Sequence, residues 1–97
     1  HHIFPKALLK SSCTAREADD IANLAFIGGK TNRQISNKEP IQYFQTILEK
    51  SGSVAFDAQC IPTDPTLLHV QAYKAFLVER RKAVSKRLNE FLGNTQL

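Results

Sequence analysis

The last third of the chain carries the pattern that most restricts its fold. Between Gln71 and Leu92, large apolar side chains recur at the three- and four-residue steps of one helix face. These residues are Tyr73, Phe76, Leu77, Val84, Leu88, Phe91 and Leu92. The pattern predicts one long helix with a buried apolar stripe, and Gly93-Asn94 is a typical stop for it.

Further helices are predicted ahead of this one. Thr14 and Glu17 have the spacing of a capping box, so a short helix should follow Thr14. Pro40 suits the first position of the next helix, which should end near Gly52. The buried stripe predicted for that helix is Ile41, Phe44, Ile47 and Leu48.

The segments between the helices are less regular. Residues 24–27 are four apolar residues before Gly28-Gly29, which favours a strand that ends in a turn. Residues 54–61 fit either a short helix or an extended piece. The predicted fold class is therefore α+β and mostly helical, with a little strand near the start.

Composition excludes several classes of protein. No apolar run approaches the roughly 20 residues of a bilayer-spanning helix, and no stretch has the pattern of a signal peptide. The two cysteines, Cys13 and Cys60, are too few for a disulfide framework or a paired-cysteine zinc fold. A cytoplasmic protein without a membrane partner is expected.

The net charge of +4 permits binding to nucleic acid but does not require it. Basic residues gather on the final predicted helix, and they are Lys74, Arg80, Arg81, Lys82, Lys86 and Arg87. Two interpretations stay open, a surface that attracts phosphates and an ordinary solvated helix face.

The sequence contains no methionine and begins at His1, inside a motif. We therefore expect a fragment of a longer protein.

Four residues have the chemistry of a catalytic site. Adjacent imidazoles on an extended segment, as at His1-His2, point to opposite sides, so one can bind a metal while the other acts as a base. The side chains of Asn23 and Asn32 can offer an oxygen to a hard cation or brace a loop. Each has an ordinary alternative: a purification-tag remnant for the histidines, and a helix end or turn for the asparagines.

Three segments in combination resemble the HNH endonucleases of the His-Me finger superfamily. They are residues 1–6 (HHIFPK), 21–27 (IANLAFI) and 30–40 (KTNRQISNKEP). The nine-residue step from Asn23 to Asn32 matches the superfamily's spacing. The chain looks most like the C-terminal HNH module of GmrSD-type, modification-dependent restriction proteins.

The resemblance implies a fold and four roles. The fold is an N-terminally truncated ββα-metal finger followed by packed helices, with residues 1–40 as its core and 41–97 as helical support. Because the first strand of such a finger normally precedes the histidines, the isolated fragment is expected to be weak or inactive. His2 matches the general base that activates water, and Asn23 matches the asparagine that braces the loop after it. His1 and Asn32 match the ligands of a single divalent metal ion.

The implied activity is metal-dependent hydrolysis of DNA phosphodiester bonds in a bacterial restriction or anti-phage protein. The ligand types suit Mg²⁺ or Mn²⁺. Lys30, Arg33 and Lys38 flank the expected ligand and are candidates to contact DNA phosphates. The implied partners are DNA, including modified phage DNA, and an upstream ParB-like nucleotide-using domain. The alternative is a non-catalytic helical DNA-binding or interaction module.

Overall fold

A computed structural model describes residues 2–25 and 38–95, and these residues form helices joined by short turns. The α-helices are α1 (Lys6–Leu9), α2 (Ala15–Ala18), α3 (Pro40–Ser51), α4 (Val54–Ala58) and α5 (Tyr73–Thr95). Three single-turn 3-10 helices lie at Ile21–Asn23, Pro65–Leu67 and Val70–Ala72.

Side-chain caps begin α2 and the 3-10 turn that follows it. Thr14 Oγ1 accepts from the Glu17 amide at 3.1 Å, and Glu17 Oε1 accepts from the Thr14 amide at 2.8 Å. This is the capping box that the spacing predicts. Asp20 begins the following 3-10 turn by accepting from the Ala22 amide at 2.8 Å. Two helices and a turn thus fit between Pro5 and Asn23.

Helix α3 agrees with its sequence signals at both ends. Pro40 is its first residue, and Gly52 ends it with a φ of +70°, a conformation that glycine adopts without steric cost. Phe44 is buried, while Ile41, Ile47 and Leu48 pack partly buried against the core, so the predicted stripe is confirmed. Residues 54–58 of the ambiguous segment are helical as α4.

Helix α5 is the longest element, as predicted, but only its first half is part of the core. Tyr73, Phe76 and Leu77 are buried, whereas Leu88 and Phe91 are 54% and 63% exposed. The helix also continues through Gly93 to Thr95. The predicted stripe is therefore half right, and the predicted stop is wrong.

The predicted α+β class and the ββα-metal finger are wrong. Within residues 2–25 and 38–95 there is no strand or sheet, only one isolated antiparallel bridge between His2 and Leu24. The backbone N–H and C=O of Phe4 bind the Asn23 side chain, and Pro5 has no N–H to donate. The pairing therefore cannot extend into a ladder in the direction of Phe4.

The helices in the part of the chain described here include none long and apolar enough to cross a membrane.

Candidate functional site

His2 lies at the edge of the core on a fixed backbone. It faces Leu24 in the antiparallel bridge, and the next amide, that of Ile3, donates to the Asn23 carbonyl at 2.7 Å. Ile3 and Phe4 are fully buried, whereas the His2 side chain is 28% exposed. The imidazole is therefore accessible to solvent although the segment that carries it is anchored in the protein interior.

Asn23 anchors that segment with its side chain. The residue is fully buried, and its Oδ1 accepts from the Phe4 amide at 2.7 Å. Its Nδ2 donates to the carbonyls of Phe4 and Ala18, each at 3.0 Å. All three bonds go to backbone groups, so Asn23 joins the segment after His2 to the end of α2. The structure thus brings together two of the residues that the sequence singles out.

Two aromatic contacts and one hydroxyl group also hold this segment in place. The Phe4 ring packs edge-on against Tyr73 and Phe76, with ring centroids 5.2 Å and 5.0 Å apart. The Tyr43 hydroxyl donates to the Ile3 carbonyl, and burial raises the pKa of Tyr43 well above its ordinary value. Both α3 and α5 therefore contribute to the position of His2.

The imidazole of His2 has a carboxylate partner that sequence reasoning missed. His2 Nε2 lies 2.8 Å from Asp19 Oδ1, and Lys6 Nζ lies 3.1 Å from the same oxygen. The hydrogen bond to His2, and then that to Lys6, lower the pKa of Asp19. An ionised carboxylate only accepts, so Nε2 must donate, and in the neutral ring Nδ1 is left to accept a proton.

Nothing in the sequence could have indicated this pair. Seventeen positions separate Asp19 from His2, and no periodic pattern connects them. The contact exists because α1, α2 and the turn after them return the chain to its start.

Arg80 was also misjudged from the sequence. It is one of the six basic residues of the last predicted helix, yet it is only 7% exposed. Its guanidinium donates to the carbonyls of Ala22, at 3.1 Å, and of Leu24, and also to the Gln59 carbonyl at 3.2 Å. Burial lowers the pKa of Arg80. Both interpretations of the basic residues place them on the surface, and neither fits Arg80.

Other basic residues of α5 are engaged with neighbouring groups. Lys74 pairs with Glu17, Arg81 pairs with Asp20, and Arg87 donates to the Asp57 carbonyl at 3.0 Å. These three residues are therefore tied to other elements of the fold.

The remaining predicted site residues divide into two groups. Lys38 is exposed just before α3. His1, Lys30, Asn32 and Arg33 lie outside the described residues. Within residues 2–25 and 38–95, no group of three or more His, Cys, Asp or Glu side chains could hold a metal ion.

The described residues define a helical domain that presents one partly exposed histidine from a buried, hydrogen-bonded segment. No protein-family model, curated protein or solved structure matches this chain.

Proposed function

We propose that this chain is a metal-dependent DNA endonuclease module of a bacterial restriction or anti-phage protein. His2 acts as the general base that takes a proton from the attacking water, and Asn23 fixes the backbone that carries it. The observation that carries the proposal is the anchored imidazole: His2 is accessible, and its backbone is tied to Leu24 and, through Phe4, to Asn23.

This geometry suits general base catalysis. A base must be held at a defined place and in a defined tautomer to take its proton efficiently. The bridge and the Asn23 side chain hold the backbone, while Asp19 accepts from Nε2 and leaves Nδ1 for the proton. The resemblance to HNH nucleases assigns the same role to His2 from the sequence alone.

His1 and Asn32 would hold the divalent metal ion. An imidazole nitrogen and an amide oxygen, with waters in the remaining positions, form a donor set that fits Mg²⁺ or Mn²⁺. Such an ion, when bound, stabilises negative charge on the phosphate and the leaving oxygen.

The proposal also includes the setting of the reaction. The substrate is DNA, including modified phage DNA, and the larger protein carries an upstream ParB-like nucleotide-using domain. Cys13 and Cys60 are free thiols, which fits the reducing cytoplasm where restriction of incoming DNA takes place.

The test is cleavage of supercoiled plasmid by the full-length gene product that contains this sequence. Wild type, His2→Ala and His69→Ala are compared in Mg²⁺, Mn²⁺ and EDTA, on unmodified, methylated and glucosylated DNA. His69 is the matched control because it is exposed and its side chain makes no capping hydrogen bond.

We expect metal-dependent nicking that His2→Ala reduces by about 10²- to 10⁴-fold, the usual contribution of a general base. The His69→Ala variant should cleave like wild type. Equal activity of His2→Ala and wild type, or no cleavage of any of the three DNAs by folded wild type, would overturn the proposal.

The second candidate is a non-catalytic helical module that binds DNA or another protein. The exposed apolar side chains of α5, including Val84, Leu88 and Phe91, favour it, because rows of this kind often mark interaction surfaces. A wild-type protein that binds DNA in a gel-shift assay and never cleaves it would support this candidate instead.

A further inference from the structure

The guanidinium of Arg80 binds a short segment of backbone through hydrogen bonds. One terminal nitrogen of its guanidinium donates to the carbonyls of Ala22, at 3.1 Å, and of Leu24. The other donates to the Gln59 carbonyl at 3.2 Å. A single buried side chain of α5 thus binds both ends of the tripeptide 22–24 and joins it to the residue after α4.

Burying an arginine side chain at this position is less favourable than burying an apolar one. None of the ion pairs found in residues 2–25 and 38–95 includes Arg80. Its buried Nε has no acceptor among the described residues either. Burying an unpaired charge costs free energy, and an apolar residue of similar volume often serves stability better. What arginine adds is a planar, rigid fork that can bind several carbonyls at once.

The segment that Arg80 binds is the one on which His2 rests. Leu24 is the bridge partner of His2, and the Asn23 carbonyl accepts the Ile3 amide at 2.7 Å. The Asn23 side chain, between the two carbonyls that Arg80 binds, holds Phe4. Every backbone contact described above between residues 2–4 and 23–24 therefore depends on the tripeptide that Arg80 fixes.

We propose that Arg80 is a positioning residue for the candidate active site, which fixes residues 22–24 and, through them, the place of His2. The inference rests on the proposed function, because positioning has a catalytic meaning only if His2 is the base. Arg80 acts through Leu24 and Asn23 and does not itself contact the substrate.

The test compares Arg80→Lys with two controls on the same helix. Arg87→Lys makes the same chemical change at a residue that binds only one α4 carbonyl among its described contacts. Leu77→Ala removes a buried side chain that is 4% exposed and so lowers global stability. Each protein is assayed well below its own unfolding temperature.

Two quantities are measured, and only one depends on nuclease activity. Steady-state cleavage gives kcat and KM separately. Amide hydrogen exchange gives the protection of the Ile3 amide, which bonds to Asn23, relative to that of the Ile47 amide inside α3. A general stabiliser would change both amides together, whereas a positioning residue changes Ile3 selectively.

For Arg80→Lys we expect kcat to fall by about 10- to 100-fold with KM within about twofold, since a shift near 1 Å can cost that much rate. Protection of Ile3 should fall at least about tenfold more than that of Ile47. Neither control should show this pattern. Unchanged kcat with unchanged Ile3 protection, or equal losses at the two amides, would overturn the inference.

The two proposals can fail separately. If wild type never cleaves DNA but Arg80→Lys selectively exposes the Ile3 amide, the nuclease proposal fails while the link from Arg80 to the His2 segment stands. If Arg80→Lys does not fold, Arg80→citrulline, made by chemical synthesis, keeps the shape and removes the charge. If neither Arg80→Lys nor Arg80→citrulline shows cooperative unfolding, Arg80 is a general stabiliser of the fold and the inference is overturned.

Discussion

The Asn23 carboxamide bonds to both polar backbone groups of Phe4, with Oδ1 accepting from the amide at 2.7 Å and Nδ2 donating to the carbonyl at 3.0 Å. A side chain thus occupies the two groups that a neighbouring strand would otherwise bind. This explains why, among residues 2–25 and 38–95, the bridge at His2 does not continue toward Phe4 as a strand.

Replacing Asn23 by alanine should lower the free energy of unfolding. The change leaves the Phe4 amide, the Phe4 carbonyl and the Ala18 carbonyl without partners in the interior. Each such group costs about 1–3 kcal/mol, so Asn23→Ala should lose roughly 3 kcal/mol or more of unfolding free energy in urea titrations. Asn89→Ala, on the exposed face of α5, should change stability little. A loss below about 1 kcal/mol at Asn23 would contradict this account.

The Tyr43 hydroxyl provides a second test of the same segment, with a smaller expected loss of unfolding free energy. It donates to the Ile3 carbonyl from a side chain that is 5% exposed. Tyr43→Phe keeps the ring but leaves this carbonyl unpaired, so we expect a loss of about 1–2 kcal/mol of unfolding free energy. The control, Thr46→Val, removes an exposed hydroxyl from the same helix and should be near neutral. Equal effects of the two variants in urea titrations would show that the Tyr43 bond contributes little.

Local sequence signals predicted three helix ends correctly, although the stop predicted at Gly93-Asn94 is wrong. The Thr14–Glu17 capping box, Pro40 at the start of α3 and Gly52 at its end are all found. Each depends on residues within about four positions of one another, so the relevant chemistry is present in a short stretch of sequence.

Contacts between distant residues could not be predicted in this way. Arg80 reaches carbonyls 56 to 58 positions away, and no local pattern distinguishes it from its solvated neighbours. The same limitation applies to Asp19, whose contact with His2 depends on how α1 and α2 turn the chain. Asn23 was singled out by resemblance, but its three backbone partners required the fold.

The two halves of α5 provide a direct test of where the core ends. Leu77 is 4% exposed and Leu88 is 54% exposed, although periodicity assigned both to one buried stripe. Leu77→Ala should lose about 2–4 kcal/mol, because it removes buried methyl groups and leaves a cavity. Leu88→Ala should change the unfolding free energy by no more than about 0.5 kcal/mol. Similar losses for both variants in urea titrations would mean that the outer half of α5 is packed in solution.

The ion pair between Glu17 and Lys74 predicts how stability depends on pH. The hydrogen bond from Lys74, followed by the bonds with Thr14, lowers the pKa of Glu17 from its ordinary value of 4.5 to about 2. Between these values the unfolded chain binds a proton that the folded chain does not, so stability rises with pH. The contribution is fully present above pH 4.5 and is lost as pH falls through about 2.

Glu17→Gln isolates this charge, because glutamine keeps an oxygen that can accept from the Thr14 amide in the capping box. Unfolding temperatures are measured for wild type and variant from pH 7 down to pH 2. Wild type should unfold at the higher temperature at neutral pH, and the difference should shrink between pH 4.5 and about 2. Glu90→Gln, which removes an exposed carboxylate from α5, controls for the change in net charge. A difference between wild type and Glu17→Gln that stays constant across this range would mean that the charge of Glu17 does not stabilise the fold.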